Sequence, residues 1–145
     1  MANLVSNKKA YLNYEIGDKL TAGIELFGHE VKSLRKGQGS LEGSYIIVRG
    51  GEAFLIGAYI PPFQASNTPA SYNERRNRTL LLNKKEIAEL AHIEHSKTSS
   101  IIPLSIFTAG PKIKIEIAYA RGKKKGDKRQ AIKKRDTERD LKRKL

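Results

Sequence analysis

Ser44-Tyr45-Ile46-Ile47-Val48-Arg49-Gly50-Gly51-Glu52-Ala53-Phe54-Leu55-Ile56 is the stretch whose reading decides the fold. Two short apolar runs rich in β-branched and aromatic residues flank a pair of glycines. Both central residues of a two-residue hairpin turn of type I′ need positive φ, and glycine adopts it without steric cost. The stretch therefore predicts a β-hairpin, Tyr45–Arg49 against Glu52–Ile56, continuing towards Ile60 and stopped by Pro61-Pro62. Upstream, Ala10–Leu26 alternates apolar and polar residues through Leu12, Tyr14 and Ile16 and then through Leu20, Ala22, Ile24 and Leu26, which reads as strand. Phe27, Val31 and Leu34 change the period to that of a short helix, ended by Gly37 and Gly39. Downstream, Phe63–Arg78 is polar and reads as a loop, and Leu80-Leu81-Leu82 as a short buried run. Asn83, with Glu86 three residues on, predicts a capping box for a helix reaching about His95. Ser99–Phe107 and Pro111–Tyr119 are two further strands joined at Ala109-Gly110-Pro111.

Five or six antiparallel strands with two inserted helices make a mainly-β domain. Small antiparallel sheets escape open edges by closure. The expectation is a small closed antiparallel β-barrel of the oligonucleotide-binding type, with two or three flanking helices and a basic C-terminal tail. Residues 1–121 form the barrel domain and residues 122–145 the tail.

Charge is distributed unevenly. The 145 residues carry a net +13, and Arg121–Leu145 hold 13 Lys and Arg against 4 Asp and Glu, or +9, leaving only +4 for the first 120 residues. A near-neutral body with a strongly basic tail attracts a polyanion. Further basic groups stand at Lys8-Lys9, at Lys32, Arg35 and Lys36, and at Arg75, Arg76 and Arg78; the tail opens with Lys123-Lys124-Lys125 and Lys128-Arg129. Several such groups on one small body point to nucleic acid, with affinity falling steeply as salt rises. Tyr11, Tyr45, Phe63 and Tyr72 are candidates to stack on unpaired bases, with burial in the core as the alternative for each, and the stronger one for Tyr45 and Phe63.

Other classes find less support. Cysteine is absent, so there is neither a disulfide framework nor a thiol nucleophile. His92 and His95 share a helix without further ligands, His29 stands alone, and Gly37-Gln38-Gly39 lacks the rest of a phosphate-binding fingerprint. The expectation is a binder, not an enzyme, with no catalytic residue, no metal and no cofactor. No signal-peptide run or membrane-length apolar stretch stands in the sequence, which makes a cytoplasmic protein without membrane contact the default; a monomer is expected. A ribosomal structural protein with a basic extension into rRNA is the competing reading, and an RNA hydrolase on the same scaffold lacks a general base or a metal cluster.

Particular strings narrow these readings. They are Asn7-Lys8-Lys9-Ala10, Gly28-His29-Glu30-Val31-Lys32-Ser33-Leu34-Arg35, Ser44-Tyr45, Gly51-Glu52-Ala53-Phe54-Leu55, Leu80-Leu81-Leu82, Pro103-Leu104 and Ala120-Arg121-Gly122-Lys123-Lys124 leading into Asp127-Lys128-Arg129. In that order, over nearly the whole chain, they resemble the small protein B (SsrA-binding protein) family. The resemblance implies an RNA-binding barrel that holds the elbow of the tRNA-like domain of transfer-messenger RNA, standing in for a missing anticodon arm. It also implies delivery of that RNA to stalled ribosomes for trans-translation. The tail, disordered in isolation, would become helical in the empty mRNA channel beside the decoding region of the small subunit. By position, the resemblance places RNA contacts at Asn7, Lys8, Lys9, Lys32, Ser33 and Arg35, and ribosome contacts at Lys123, Lys124, Lys125, Asp127, Lys128 and Arg129, with Glu30 in a structural hydrogen-bonding role. The chain departs from the family pattern at Thr21 (usually Glu), Phe107 (often Tyr), Gly126 (usually a large residue) and Thr137 (often Trp).

Overall fold

The computed structural model describes residues 2–64, 68–95 and 99–122. The tail residues Lys123, Lys124, Lys125, Asp127, Lys128 and Arg129, with Gly126 and Thr137, lie outside the described residues. Among the described residues the elements are β1 (Ala2–Ser6), α1 (Ala10–Asn13), β2 (Tyr14–Ile24), α2 (Gly28–Arg35), β3 (Tyr45–Arg49), β4 (Glu52–Ile56), β5 (Arg78–Leu81), α3 (Lys84–Glu94), β6 (Ser99–Ala109) and β7 (Lys112–Gly122). The deciding hairpin forms in the expected register, Tyr45 opposite Ile56 and Arg49 opposite Glu52. Gly50 and Gly51 take φ of 60° and 76°.

All strands join one antiparallel sheet in the order β1-β6-β7-β2-β5-β4-β3. The sheet is not closed. β1 and β3 stand at its two ends and do not pair, which corrects the expected closed barrel. The cause is visible at the seam. β1 pairs with β6 only from Ser105 to Thr108, so the first half of β6 is hydrogen-bonded to β7 on one side, while on the other β3 lies near it without pairing. Helix α3 occupies that region, contacting both β3 and β6. The Glu94 carboxylate at its end accepts the Val48 N–H at 2.7 Å, taking a donor on β3 that a closing strand would otherwise have taken. A side chain and a helix thus cover an edge that barrels cover with a ladder. A cleft of about 560 Å³ remains along the seam, lined in part by Tyr45, Ile47, Ser99 and Ile101.

Two bulges divide the core. Between Ile16 and Lys19, β2 carries one residue more than β7, and between Pro103 and Ser105, β6 does the same. Each extra residue turns the following side chains to the opposite face. Tyr14 and Ile16 accordingly pack with Ala10, Ile102, Leu104, Ala118 and Ala120 in a small cluster. Leu20, Ala22 and Ile24 join Ile101, Ile106, Ile115, Ile117 and the fully buried Leu90 of α3 in the main core. Ile16 and Leu20 both stand at even-numbered positions, with Asp18 interrupting the apolar series between them, yet they serve two faces. This second cluster is why Ala118, on the strand face opposite Ile115 and Ile117, is buried as well.

Local signals hold well. Asn83 Oδ1 accepts the Glu86 N–H at 2.8 Å and Glu86 Oε1 accepts the Asn83 N–H at 3.1 Å. Helix α2 ends as its glycines require: Gly37, at φ 77°, donates to Leu34 O and Gln38 donates to Ser33 O. Gly39 is more constrained still. Its φ is 127°, and a Cβ there would lie 3.1 Å from the Tyr59 carbonyl oxygen. Gly39→Ala is expected to cost about 1–3 kcal/mol, read as a lower midpoint in urea unfolding, because it combines a disfavoured backbone with a backbone clash. An unchanged midpoint would mean that the adjoining Ser40–Tyr59 bridge yields without cost.

Other local expectations are revised. Leu12 falls in the one-turn helix α1 and not in a strand, because Leu12 and Asn13 N–H both donate back to Lys9 O. Leu80 is buried but Leu81 is exposed, as alternation along a strand demands. Strand β1 is unanticipated, and β7 extends to Gly122, three residues past the expected strand end at Tyr119.

Candidate nucleic-acid interface

Glu30, in the first turn of α2, is fully buried and organises this part of the molecule. Its Oε1 accepts the Phe27 N–H at 2.7 Å, which caps the helix from within. Arg76 bonds both carboxylate oxygens, and Arg78 Nε donates to Oε2 at 2.9 Å. The Tyr72 hydroxyl lies 2.9 Å from Oε2 and 2.9 Å from Ile60 O, and accepts from Arg78 Nη2 at 3.2 Å. Arg78 is itself fully buried and also donates to Ala58 O, Glu74 O and Arg76 O. Burial alone would push the Glu30 carboxyl upward. The hydrogen bonds from Arg76 and Phe27 N–H and the charge of Arg78 outweigh it and hold the group at about 2. Burial and the hydrogen bond to Glu30 push the Tyr72 phenol up to about 12, so it remains a neutral donor.

This node revises one basic group of the sequence. Arg78 is a core residue, and Arg76 is paired with Glu30 while stacked 4.0 Å from the Phe27 ring centroid. Only Arg75 stays exposed, lying over Tyr59 and donating to Gly57 O at 2.9 Å. The expected structural role of Glu30 stands. The side chain read as part of the helix's apolar stripe, Phe27, is instead its exposed N-cap residue.

Helix α2 is therefore a rigid support. Its Ser33 is fully buried and donates from Oγ to Pro61 O at 2.6 Å, tying the helix to the loop. Lys32 and Arg35, three apart on the same helix, are exposed. Lys32 Nζ sits 5.9 Å from the Phe63 ring centroid, and Arg35 Nη2 reaches Pro111 O at 3.4 Å, too long to hold it firmly. Helix α2 contacts β1, the strand that leads into the second group. There Asn7 is half-buried and bound to β6, through its N–H to Leu104 O and its Nδ2 to Pro103 O. Lys8 is exposed, and Lys9 pairs with Glu42 at 2.8 Å, a hydrogen bond that raises its pKa. Neighbouring elements thus bring forward exposed Lys8, Lys9, Lys32 and Arg35, while Asn7 and Ser33 hold backbone in place.

Rings accompany the cations. Tyr45 and Tyr11 are largely exposed, Lys19 Nζ lies 5.6 Å from the Tyr11 centroid, and Phe63 and Tyr72 are half-buried. Thr21 is exposed opposite Glu116 on β7, whereas Phe107 is buried, where a hydroxyl would need a partner. Among the described residues, no group of three His, Asp or Glu side chains could hold a metal ion, and no helix is long and apolar enough to cross a membrane.

Fold and site together define a small open-sheet β protein whose exposed cations stand on rigid supports, a surface suited to a polyanion. The chain belongs to the SmpB protein family, whose model matches residues 4–145. It is 49% identical to an SsrA-binding protein of Helicobacter hepaticus, covering 94% of this chain and 89% of that one. It is 47% identical to the protein of the same name from Mycoplasmoides gallisepticum, covering 94% of each. A relative from Parvibaculum lavamentivorans is 46% identical over 94% of this chain and 84% of its own. Among solved structures, a chain described as "tmRNA-SmpB: a journey to the center of the bacterial ribosome" matches with a TM-score of 0.70 at 35% identity, covering 88% of this chain and 92% of that one.

Proposed function

We propose that this protein binds the tRNA-like domain of transfer-messenger RNA and delivers it to stalled ribosomes for trans-translation. The observation that carries this reading is the agreement between family and surface. A chain of this family shares the fold over 88% of the present one and is described with tmRNA and the ribosome, and exposed Lys8, Lys32 and Arg35 stand on elements pinned from beneath. The role is one of binding, without catalysis and without a cofactor. Lys8, Lys9, Lys32 and Arg35 contact phosphate, with Lys9 exchanging its bond to Glu42 for one to the RNA. Asn7 and Ser33 keep those contacts in register. Residues 122–145, led by Lys123, Lys124, Lys125, Asp127, Lys128 and Arg129, enter the vacant mRNA channel and order there, as charged segments do on meeting an opposing surface.

The double substitution Lys32→Ala with Arg35→Ala tests the RNA face. Both side chains are exposed, so the fold should survive. Affinity for transfer-messenger RNA is expected to fall, and the slope of log K against log salt to become shallower by about 0.9 for each phosphate contact removed. A slope equal to that of the wild type would move the RNA face off helix α2.

A further inference from the structure

Beside the Glu30 node lies a cleft of about 560 Å³ bounded by Phe27, His29, Pro69, Tyr72, Asn73 and Arg76. We infer that it is the receptor for a single unstacked base of the bound RNA. This inference rests on the RNA-binding reading and deepens it, because it assigns base recognition to a site away from the exposed lysines.

Three observations carry it. First, the walls are rings held in fixed relation. His29 packs edge-on against Tyr72 at 4.5 Å between centroids and tilted to Phe27 at 5.7 Å. Phe27 remains 52% exposed although it begins a helix that buries Glu30, Ser33 and Leu34. An exposed ring fixed in place offers a π-face without the entropy cost of ordering it on binding.

Second, the charge is complementary to a nucleotide. Arg76 and Arg78 share the single carboxylate of Glu30, two positive charges against one negative. Arg78 is fully buried; the partly exposed Arg76 supplies part of the cleft wall and brings its guanidinium there. Exposed Arg75 adjoins it in the chain. A base entering with its phosphate meets rings for the base and net positive charge for the phosphate. An apolar peptide side chain would use only the rings.

Third, His29 Nδ1 is buried with no hydrogen-bond partner among the described residues. A buried ring nitrogen left unsatisfied is a standing cost. Base edges carry both donors and acceptors, so a slight rotation of the imidazole on base entry would satisfy it.

The test uses the full chain and the tRNA-like domain of transfer-messenger RNA carrying 2-aminopurine at its unpaired positions, one at a time. With the wild-type chain, one probe should change fluorescence on binding, and Phe27→Tyr should preserve that change. Phe27→Ala and Phe27→Leu should abolish it and weaken binding on the order of tenfold, the scale of one base–aromatic stack. The salt slope should become shallower by no more than about 0.9, the share of the one phosphate that enters with the base, against about twice that for the Lys32/Arg35 double variant. Phe27→Leu keeps apolar bulk at the position, so its loss of signal reports the aromatic face and not a disturbed fold.

The inference is overturned if both variants bind with wild-type affinity and signal while the Lys32/Arg35 double variant still binds weakly. That result would leave the RNA-binding reading intact. It is equally overturned if the variants bind RNA normally but fail in ribosome-dependent tagging, which would assign the cleft to a ribosomal contact. A wild-type chain that does not bind the RNA would remove the functional reading and this site together.

Discussion

Glu30→Ala is expected to lower the unfolding free energy by about 3–5 kcal/mol, the cost of removing one partner from a buried charge network. Arg78 has no exposed surface, so losing the carboxylate strands its guanidinium without a counter-charge in the interior. The loop that carries Arg76 and Tyr72 loses its anchor at the same time. Urea unfolding would register this as a large fall in midpoint. A midpoint unchanged from the wild type would mean that carbonyl oxygens alone can satisfy Arg78.

The same group predicts a pH dependence of defined sign. The folded carboxyl is depressed from an ordinary value of 4.5 to about 2. Its stabilisation is therefore fully present above about pH 4.5 and is lost as the pH falls from there through about 2. The difference in stability between wild type and Glu30→Ala should narrow across that window. A constant difference would assign the stabilisation to packing and not to charge.

Removal of residues 123–145 is expected to leave binding to isolated transfer-messenger RNA largely intact and to reduce tagging on stalled ribosomes to background. The cut respects the sheet, because β7 runs to Gly122 and pairs there with Tyr14, while Arg121 pairs with Ser99 and with the Glu15 carboxylate. The deleted segment carries 12 Lys and Arg against 4 Asp and Glu, so weak, salt-sensitive binding to any RNA should also decrease. Loss of most of the specific affinity would overturn the division of labour between body and tail.

Much of the fold was legible because the signals were local. A Gly-Gly turn between β-branched runs, an Asn–Glu capping box and a glycine after α2 each act within a few residues, and each forms as expected. Strand partners that depend on distant residues were less legible. One extra residue in β2 and one in β6 redirect whole strand segments, although Ile16 and Leu20 keep the same even-numbered spacing. Sheet closure was misjudged because the edge of β3 is satisfied by Glu94, 46 residues away from Val48.

At the site, exposed Lys8, Lys32 and Arg35 could be named from the motif strings. The interior role of Arg78 could not, since Arg75, Arg76 and Arg78 in a polar stretch read as surface until the buried Glu30 is seen beside them. Phe27 was missed for a similar reason. Spacing from Val31 made it the first residue of an apolar stripe, whereas its N–H is the group that Glu30 caps, which turns the ring outward. An apolar residue immediately before Gly28-His29-Glu30 was the available signal.

The central claim, a specific RNA partner, is tested most directly by binding the purified chain to transfer-messenger RNA at moderate salt with bulk tRNA as competitor. Tight binding that survives a large excess of tRNA is the expected result. Binding that the competitor erases would contradict it and reduce the exposed lysines and arginines to a generic polyanion surface.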